Sequence, residues 1–317
     1  MASDRHGIFR TKKPGRGSRF LLALILLMLT GAGAYGWIRG FLPLSWIPEE
    51  ADPEAAGTPM SPAAADTAGP PRAPEENRPF VAKPPLPLDA QTEQHLASFR
   101  KEAQKLAEAF PQGFILKGSG NKKRAALSFD DGPDAVYTPR ILSLLQQYGV
   151  KATFFLKGER VQEHPEITKK ILSQGHEIGN HAWSHPRFQE LSLAEAEAEI
   201  RRTEDIIQGV TGIRPRLIRP PYGIMTGKQI ACFMEKGYRI IDWSIDSMDW
   251  YSQDEELIFT AVTEVLHNDA IILMHAAEGK EGREGTIQAL ERLLLHFQEK
   301  GIEPVTVSQL LEDEKMD

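Results

Sequence analysis

From Ala125 to Val307 the chain alternates short apolar runs with longer segments of helical periodicity, and that alternation constrains the fold more than any other feature. The apolar runs are Ala125–Phe129, Ala152–Leu156, Glu177–Gly179, Leu217–Arg219, Arg239–Trp243, Ala270–Met274 and Glu303–Val307. Each is short enough for a buried strand and is bounded by turn residues. Helical patterns lie between them at Tyr137–Tyr148, Pro165–Ser173, Ala194–Gln208, Thr226–Glu235, Glu255–Leu266 and Gly285–Glu299. Repeated β–α units with right-handed crossovers make a parallel sheet, and seven strands predict a closed or nearly closed α/β barrel. No repeat of fixed period runs through the sequence.

The polar residues fall where such a barrel would gather them. Asp130 and Asp131 end the first run and are followed at once by Gly132-Pro133. His181 and His185 follow the third run, Arg219 and Tyr222 the fourth, Asp246 and Asp249 the fifth, and His275 the sixth. All lie at carboxyl ends of strands, the rim on which barrel enzymes assemble their sites. Two adjacent carboxylates at a strand end repel and lose hydration, and a metal ion offsets that cost well. His181 and His185, at i, i+4 spacing, can present two nitrogens to one ion, with a carboxylate as third ligand. Two histidines and one carboxylate leave an open position and suit catalytic zinc. His176, just before this pair, is read as structural because it starts a strand.

Charge and composition narrow the function classes. Residues 1–40 hold seven of the chain's 37 Lys and Arg but one of its 44 Asp and Glu, while the whole chain carries −7. The body is therefore acidic, which argues against nucleic acid as partner. The single cysteine, Cys232, allows no intrachain disulfide and no CxxC zinc motif, and its place in a helical pattern reads as a buried small hydrophobe.

Phe20 to Ile38 is nineteen residues without a charge, preceded by a basic cluster. It predicts a single-pass membrane anchor with the basic side in the cytoplasm. Ala32-Gly33-Ala34 also fits a signal-peptidase site, which would give a secreted protein cleaved near Ala34. Apolar residues resume at Tyr35, Trp37 and Ile38, which favours the anchor; both readings export the body of the protein. The expected organisation is a basic tail over 1–19, the membrane segment over 20–38, a Pro/Ala-rich linker over 39–89, a packing helix and lead-in over 90–121, and a catalytic domain over 122–317. In the lead-in, Leu96, Phe99, Ala103, Leu106 and Phe110 fall at helical spacing.

Five short motifs occur in order: Ser128-Phe-Asp-Asp-Gly-Pro133, His181-Ala-Trp-Ser-His185, Arg219-Pro-Pro-Tyr-Gly223, Asp246-Ser-Met-Asp-Trp250 and Ile272-Leu-Met-His275. With them the chain from about Lys122 to Leu311 resembles the polysaccharide deacetylases of the NodB-homology type, carbohydrate esterase family 4, and in particular membrane-anchored peptidoglycan N-deacetylases. The resemblance implies a distorted (β/α)7 barrel and a divalent metal, Zn²⁺ or an ion such as Co²⁺ or Ni²⁺, on Asp131, His181 and His185. It implies Asp130 as the catalytic base, held by Arg219, and His275 as the general acid, its pKa raised by Asp249. The Tyr222 N–H would stabilise the oxyanion, on a turn stiffened by Pro220-Pro221 and released by Gly223. Trp250 and Leu273 would form the slot for the acetyl methyl, and Trp183 and Tyr222 would offer stacking faces to sugars.

Two positions depart from the family pattern. Ala182 stands where a Ser or Thr usually braces the histidine loop, and Ala276 where many members carry Asp after the acid. The implied reaction is removal of N-acetyl groups from an extracellular polysaccharide, GlcNAc or MurNAc of peptidoglycan first, and the catalytic domain is expected to be monomeric. Chitooligosaccharide deacetylation and O-acetyl xylan esterase activity use the same scaffold, and a non-catalytic glycan-binding module is the reading from another class.

Overall fold

Every pairing between named strands is parallel, as the βα alternation requires. The computed structural model describes residues 88–279 and 281–312. The basic tail, the apolar segment and all but the last two residues of the linker lie outside the described residues. Among the described residues no helix is long and apolar enough to cross a membrane.

The order is α1 (Ala90–Ala109), β1 (Phe114–Ile115), β2 (Arg124–Asp130), α2 (Tyr137–Gln147), β3 (Thr153–Leu156), α3 (Gly158–Glu163), α4 (Pro165–Ser173) and β4 (Glu177–Asn180). It continues with α5 (Leu193–Thr211), β5 (Leu217–Ile218), α6 (Gly227–Glu235), β6 (Arg239–Ile241), β7 (Ile245–Asp246), α7 (Glu255–Thr263), β8 (Ala270–His275), α8 (Glu284–Lys300), β9 (Glu303–Val305) and α9 (Val307–Glu312). Capping boxes start α5 (Ser192 with Glu195) and α6 (Thr226 with Gln229), and left-handed Gly212 ends α5, so these helices are delimited by local sequence.

Adjacent strands run β1-β6-β5-β4-β3-β2-β8-β7, with β9 also on β2. The expected seven-membered ring is met with two corrections. The fifth run is broken: β6 stops at Ile241, the chain bends over 242–244, and β7 resumes beside β8. Across the bend the Asp242 N–H donates to Ile115 of β1 and the Ser244 N–H to Ile271 of β8. One segment thus passes from one side of the seam to the other. The seventh run, β9, pairs with the amino-terminal half of β2, whereas β3 pairs with the carboxyl-terminal half. Strand β1, too short to stand out in sequence, edges β6, and beyond it Lys117 bridges to Ala270 at the start of β8.

The period-two alternation of β2 sorts its side chains. Ala125, Leu127 and Phe129 point outward into the core shared with Ile141, Leu142 and Leu145 of α2 and Leu290 and Leu293 of α8. Ala126 packs with Phe155, Leu217, Ile241 and Ile271 on the other face. Ser128 and Asp130 share that inward face, and on β8 so do Leu273 and His275, in register with Ser128 and Asp130. The barrel axis is therefore apolar in its middle, around Ala126, and Ser128 and Asp130 put its polar groups toward the carboxyl-terminal rim.

At the opposite end of β2, Arg124 pairs with buried Asp269 at 2.8 Å. Arg124→Ala strands that carboxylate, and unfolding in denaturant is expected to show a loss of about 3 kcal/mol. Metal affinity should stay unchanged, because the site lies at the other end of the strand.

Candidate active site

The rim residues are brought together by strand ends and held by unusual backbone. Asp131, Ala182, His185, Tyr222 and Met248 all adopt φ between 61° and 69°. For residues with a Cβ this left-handed region costs about 1 kcal/mol or more each, and it persists where surrounding contacts impose it. The His181–His185 segment is accordingly a loop, and its i, i+4 spacing does not reflect a helix face.

Asp131, His181 and His185 place one ligand atom each within 4.8 Å of one another. Nε2 of His185 lies 3.5 Å and Nε2 of His181 3.8 Å from Asp131 Oδ1. That Oδ1 is buried and has no hydrogen-bond partner. Nδ1 of His181 meets the Arg219 carbonyl at 2.8 Å, so Nδ1 carries the proton and Nε2 turns its lone pair to the site. Burial, with the nearby His181, holds the His185 pKa down at about 4, so this ring is a neutral donor. Burial opposes the charge on Asp131, yet His181, His275 and His185 together bring its pKa to about 2. An orphaned buried carboxylate oxygen facing two imidazole nitrogens fits a divalent cation.

Asp130 is held separately. Its Oδ1 accepts from Arg219 Nη1 at 2.8 Å, while Oδ2 lies 3.7 Å from His181 Nε2. Arg219 is fully buried; it also donates to Ser128 Oγ and to the carbonyls of Ile241 and Asp242, and its guanidinium lies 4.1 Å from the Phe155 ring centroid.

On the other side of the rim, His275 Nδ1 meets Asp249 Oδ1 at 2.7 Å. The Asp249 carboxylate also accepts the His275 backbone N–H and the Thr286 hydroxyl, so it is buried but satisfied. Burial disfavours a charged His275, but the charge and hydrogen bond of Asp249 outweigh it and raise the pKa to about 9. Arg283 donates to the Asp249 carbonyl and to that of Ala277, which fixes this loop.

Asp130, Asp131, His181, His185 and His275 line a cleft of about 390 Å³, together with Tyr222, Trp250 and Leu273, while Arg219 and Asp249 are buried behind it. Tyr222 and Trp250 are exposed, and Leu273 is buried at the floor. The Tyr222 N–H donates to no group among the described residues, whereas the next amide, of Gly223, bonds the Pro220 carbonyl. The Tyr222 ring stands edge-on to His185 and beneath the Arg187 guanidinium, 4.1 Å away. Trp183 differs from expectation: it is buried, with Arg202 stacked on it at 3.5 Å, and offers no face to a sugar. His176 is structural as read, buried at the amino-terminal end of β4 and accepting the Ala152 N–H. Cys232 is half-buried, and a hydrogen bond to Glu197 raises its pKa and keeps it a thiol.

The two departures prove to be accommodated. Ala182 is fully buried and its N–H bonds Asn180 Oδ1. Glu199, in the second turn of α5, accepts the backbone N–H groups of Trp183 and Ser184, between the two histidines. Ala276 is buried over Gly132; its N–H bonds the Asp130 carbonyl and its own carbonyl accepts from Thr138 Oγ1. Sequence reasoning also missed Asp242, just past β6. Both of its carboxylate oxygens are buried without a partner, and burial raises its pKa well above the ordinary range.

A family model described as polysaccharide deacetylase matches residues 117–241. A Bacillus cereus protein named peptidoglycan-N-acetylglucosamine deacetylase is 37% identical over 202 residues, covering 64% of this chain and 73% of the relative. The Bacillus subtilis peptidoglycan-N-acetylmuramic acid deacetylase PdaC is 37% identical over 195 residues, covering 62% of this chain but 40% of that longer protein. Among solved structures, the Bc1960 peptidoglycan N-acetylglucosamine deacetylase, in complex with 4-naphthalen-1-yl-N-oxidanyl-benzamide, superposes with a TM-score of 0.60. It is 37% identical and the match covers 62% of this chain and 92% of that one. The chain belongs to the polysaccharide deacetylase family, carbohydrate esterase family 4, and is a hydrolase of that class.

If the cluster takes a divalent cation, Glu199→Gln should weaken its binding about 10-fold, since charged partners that orient such a loop carry that much affinity. Asp131→Asn should weaken it more, about 100-fold. Competition with a chromogenic chelator measures both.

Proposed function

We propose that the protein is a metal-dependent N-deacetylase acting on GlcNAc or MurNAc of an extracellular polysaccharide, peptidoglycan first. The observation that carries this reading is the division of labour at the rim. Asp130, beside Arg219, and His275, beside Asp249, are two proton-handling groups flanking the Asp131–His181–His185 cluster.

Asp131, His181 and His185 would hold Zn²⁺ or a similar divalent ion, which when bound acidifies water and polarises an acyl oxygen. The relative solved with an N-oxidanyl-benzamide supports a metal here, because a hydroxamic acid is a chelating group. Asp130 Oδ2 is the proton acceptor for the attacking water. Arg219 on Oδ1 fixes the orientation of the carboxylate and leaves Oδ2 free to face the cleft. Attack at the amide carbon places negative charge on the acyl oxygen, and the unpartnered Tyr222 N–H is the available backbone donor. His275 gives its Nε2 proton to the departing nitrogen while Asp249 holds Nδ1. Acetate and a free amino sugar leave. Leu273 and Trp250 both line the cleft and are the apolar surfaces that would take an acetyl methyl.

The relatives named for GlcNAc and for MurNAc support a peptidoglycan substrate and divide over the sugar. The uncharged stretch Phe20–Ile38 and its basic flank support a membrane-anchored or exported protein whose catalytic domain lies outside the cell.

Mass spectrometry of peptidoglycan fragments, before and after treatment with the purified chain, tests the reading. Loss of one acetyl mass, mapped to a sugar, identifies bond and residue together. No loss from fragments, with release from acetylated xylan instead, would convert the assignment to an ester hydrolase. Asp130→Asn should retain the metal and lower kcat by about 10³-fold, the middle of the range for a general base.

His275 acts in its protonated form, so kcat/KM should be held below its pKa and lost above it. That pKa is about 9 without a metal, and a bound cation pulls it lower. Asp249→Asn removes the group that raises it, so the basic limb should move down by about one unit or more. A pH–rate profile in which the limb stays put would remove Asp249 from this role.

A further inference from the structure

Helix α1 precedes the segment matched by the family model, yet it reaches the active site. His95, Leu96 and Phe99 stand on the wall of the catalytic cleft. Phe99 does more than fill space. Its ring stacks on Trp243 with centroids 5.1 Å apart and planes inclined by 22°. It also presses on the turn Pro221–Gly223: a Cβ at Gly223 would lie 2.6 Å from Phe99 Cε2 and 2.8 Å from Trp243 Cη2. Gly223 has φ 75° and Tyr222 before it φ 61°, so two consecutive residues sit in the left-handed region. Among the described residues, the Gly223 N–H to Pro220 carbonyl is the one backbone hydrogen bond of this turn outside the short 3-10 helix itself. Trp243 lies in turn 5.6 Å from the Arg219 guanidinium. One aromatic ring on α1 therefore backs both the turn that presents the Tyr222 N–H and the tryptophan beside the cation of Asp130.

We propose that Phe99 is a positioning residue for deacetylation: packed on Gly223 and Trp243, it keeps the Pro221–Gly223 turn in the strained conformation that aims the Tyr222 N–H into the cleft. The physical reason is that the turn cannot hold itself. Left-handed backbone at Tyr222 costs free energy, and removing the ring that abuts Gly223 lets the turn relax. This role rests on the deacetylase reading for its kinetic consequence, but its structural consequence does not.

The experiment compares Phe99→Ala and Phe99→Leu with Leu106→Ala, a core change on the same helix away from the turn, all in the full chain. Amide hydrogen exchange at Gly223 reads the turn directly, without activity. It should quicken about 10-fold in Phe99→Ala, by less in Phe99→Leu, and remain as in the parent in Leu106→Ala. On an N-acetylated glycan oligomer, kcat should fall about 10-fold or more in Phe99→Ala with KM within about twofold, since small misplacements of a catalytic donor act on the transition state. Leu106→Ala should lower the thermal midpoint and leave kcat unchanged. Equal Gly223 exchange in the Phe99 variants and the parent overturns the proposal, as does a kcat loss in Leu106→Ala matching that in Phe99→Ala. If the parent releases no acetate, the deacetylase reading falls, and the exchange comparison still decides whether Phe99 holds the turn. Should Phe99→Ala fail to fold, Phe99→Leu carries both measurements.

Discussion

The site depends on one buried cation. Arg219 has no exposed surface, and its guanidinium ties Ser128 and Asp130 of β2 to the carbonyls of Ile241 and Asp242 at the end of β6. Burying a charge is tolerable when it is paired and its donors are satisfied, and this fork achieves both through side-chain and backbone acceptors on two strands. The arrangement needs planar geometry. A lysine at this position would bring one ammonium and could not reach four acceptors in different directions. The Arg219 carbonyl in turn accepts from His181 Nδ1, so the same residue holds the Asp130 carboxylate on one side and orients the His181 imidazole on the other.

Much of this was legible in the sequence because strand ends and residue alternation are local properties. The apolar run Ala125–Phe129 located β2, and the period of two places Ser128 and Asp130 on one face, where both reach Arg219. The rim set Asp130, Asp131, His181, His185, Arg219, Tyr222, Asp249 and His275 emerged from position alone. What the sequence hid was non-local. Strand β1 is two residues long and gains its identity from pairing with β6 and from the Lys117 bridge. The break at 242–244 follows from the need to switch partners across the seam, which no local pattern announces. The fit of Phe99 against Gly223, more than a hundred residues away, lies in the same class; the helical spacing of α1 predicted packing but not what it packs on.

The Ala182 departure shows how the same constraint is met by other atoms. A hydroxyl at that position would brace the loop from within. Here the bracing comes from outside it: Asn180 takes the Ala182 N–H, and the carboxylate of Glu199 takes the next two amides. Asn180 is itself tied to the Ile200 carbonyl, so strand β4 and helix α5 grip the loop between them. A carboxylate accepting two amides between the His181 and His185 imidazoles also places negative charge behind the site, which would favour a cation there.

The two flanks of the rim finally show why similar side chains take different work. His185 and His275 are both largely enclosed, yet burial lowers the first to about 4 while Asp249 lifts the second to about 9. One imidazole is thereby a neutral electron-pair donor and the other a proton donor over the same pH range. The carboxylates divide in the same way. Asp131 keeps an unpartnered oxygen toward the histidines, whereas Asp130 has one oxygen fixed by Arg219 and one turned to the cleft. Adjacent like charges at Asp130-Asp131 are tolerated because each has its own surroundings, the Arg219 guanidinium for one and, for the other, an imidazole pair whose donor set suits a cation. The different settings of the two carboxylates come from that surrounding, since the side chains themselves are identical.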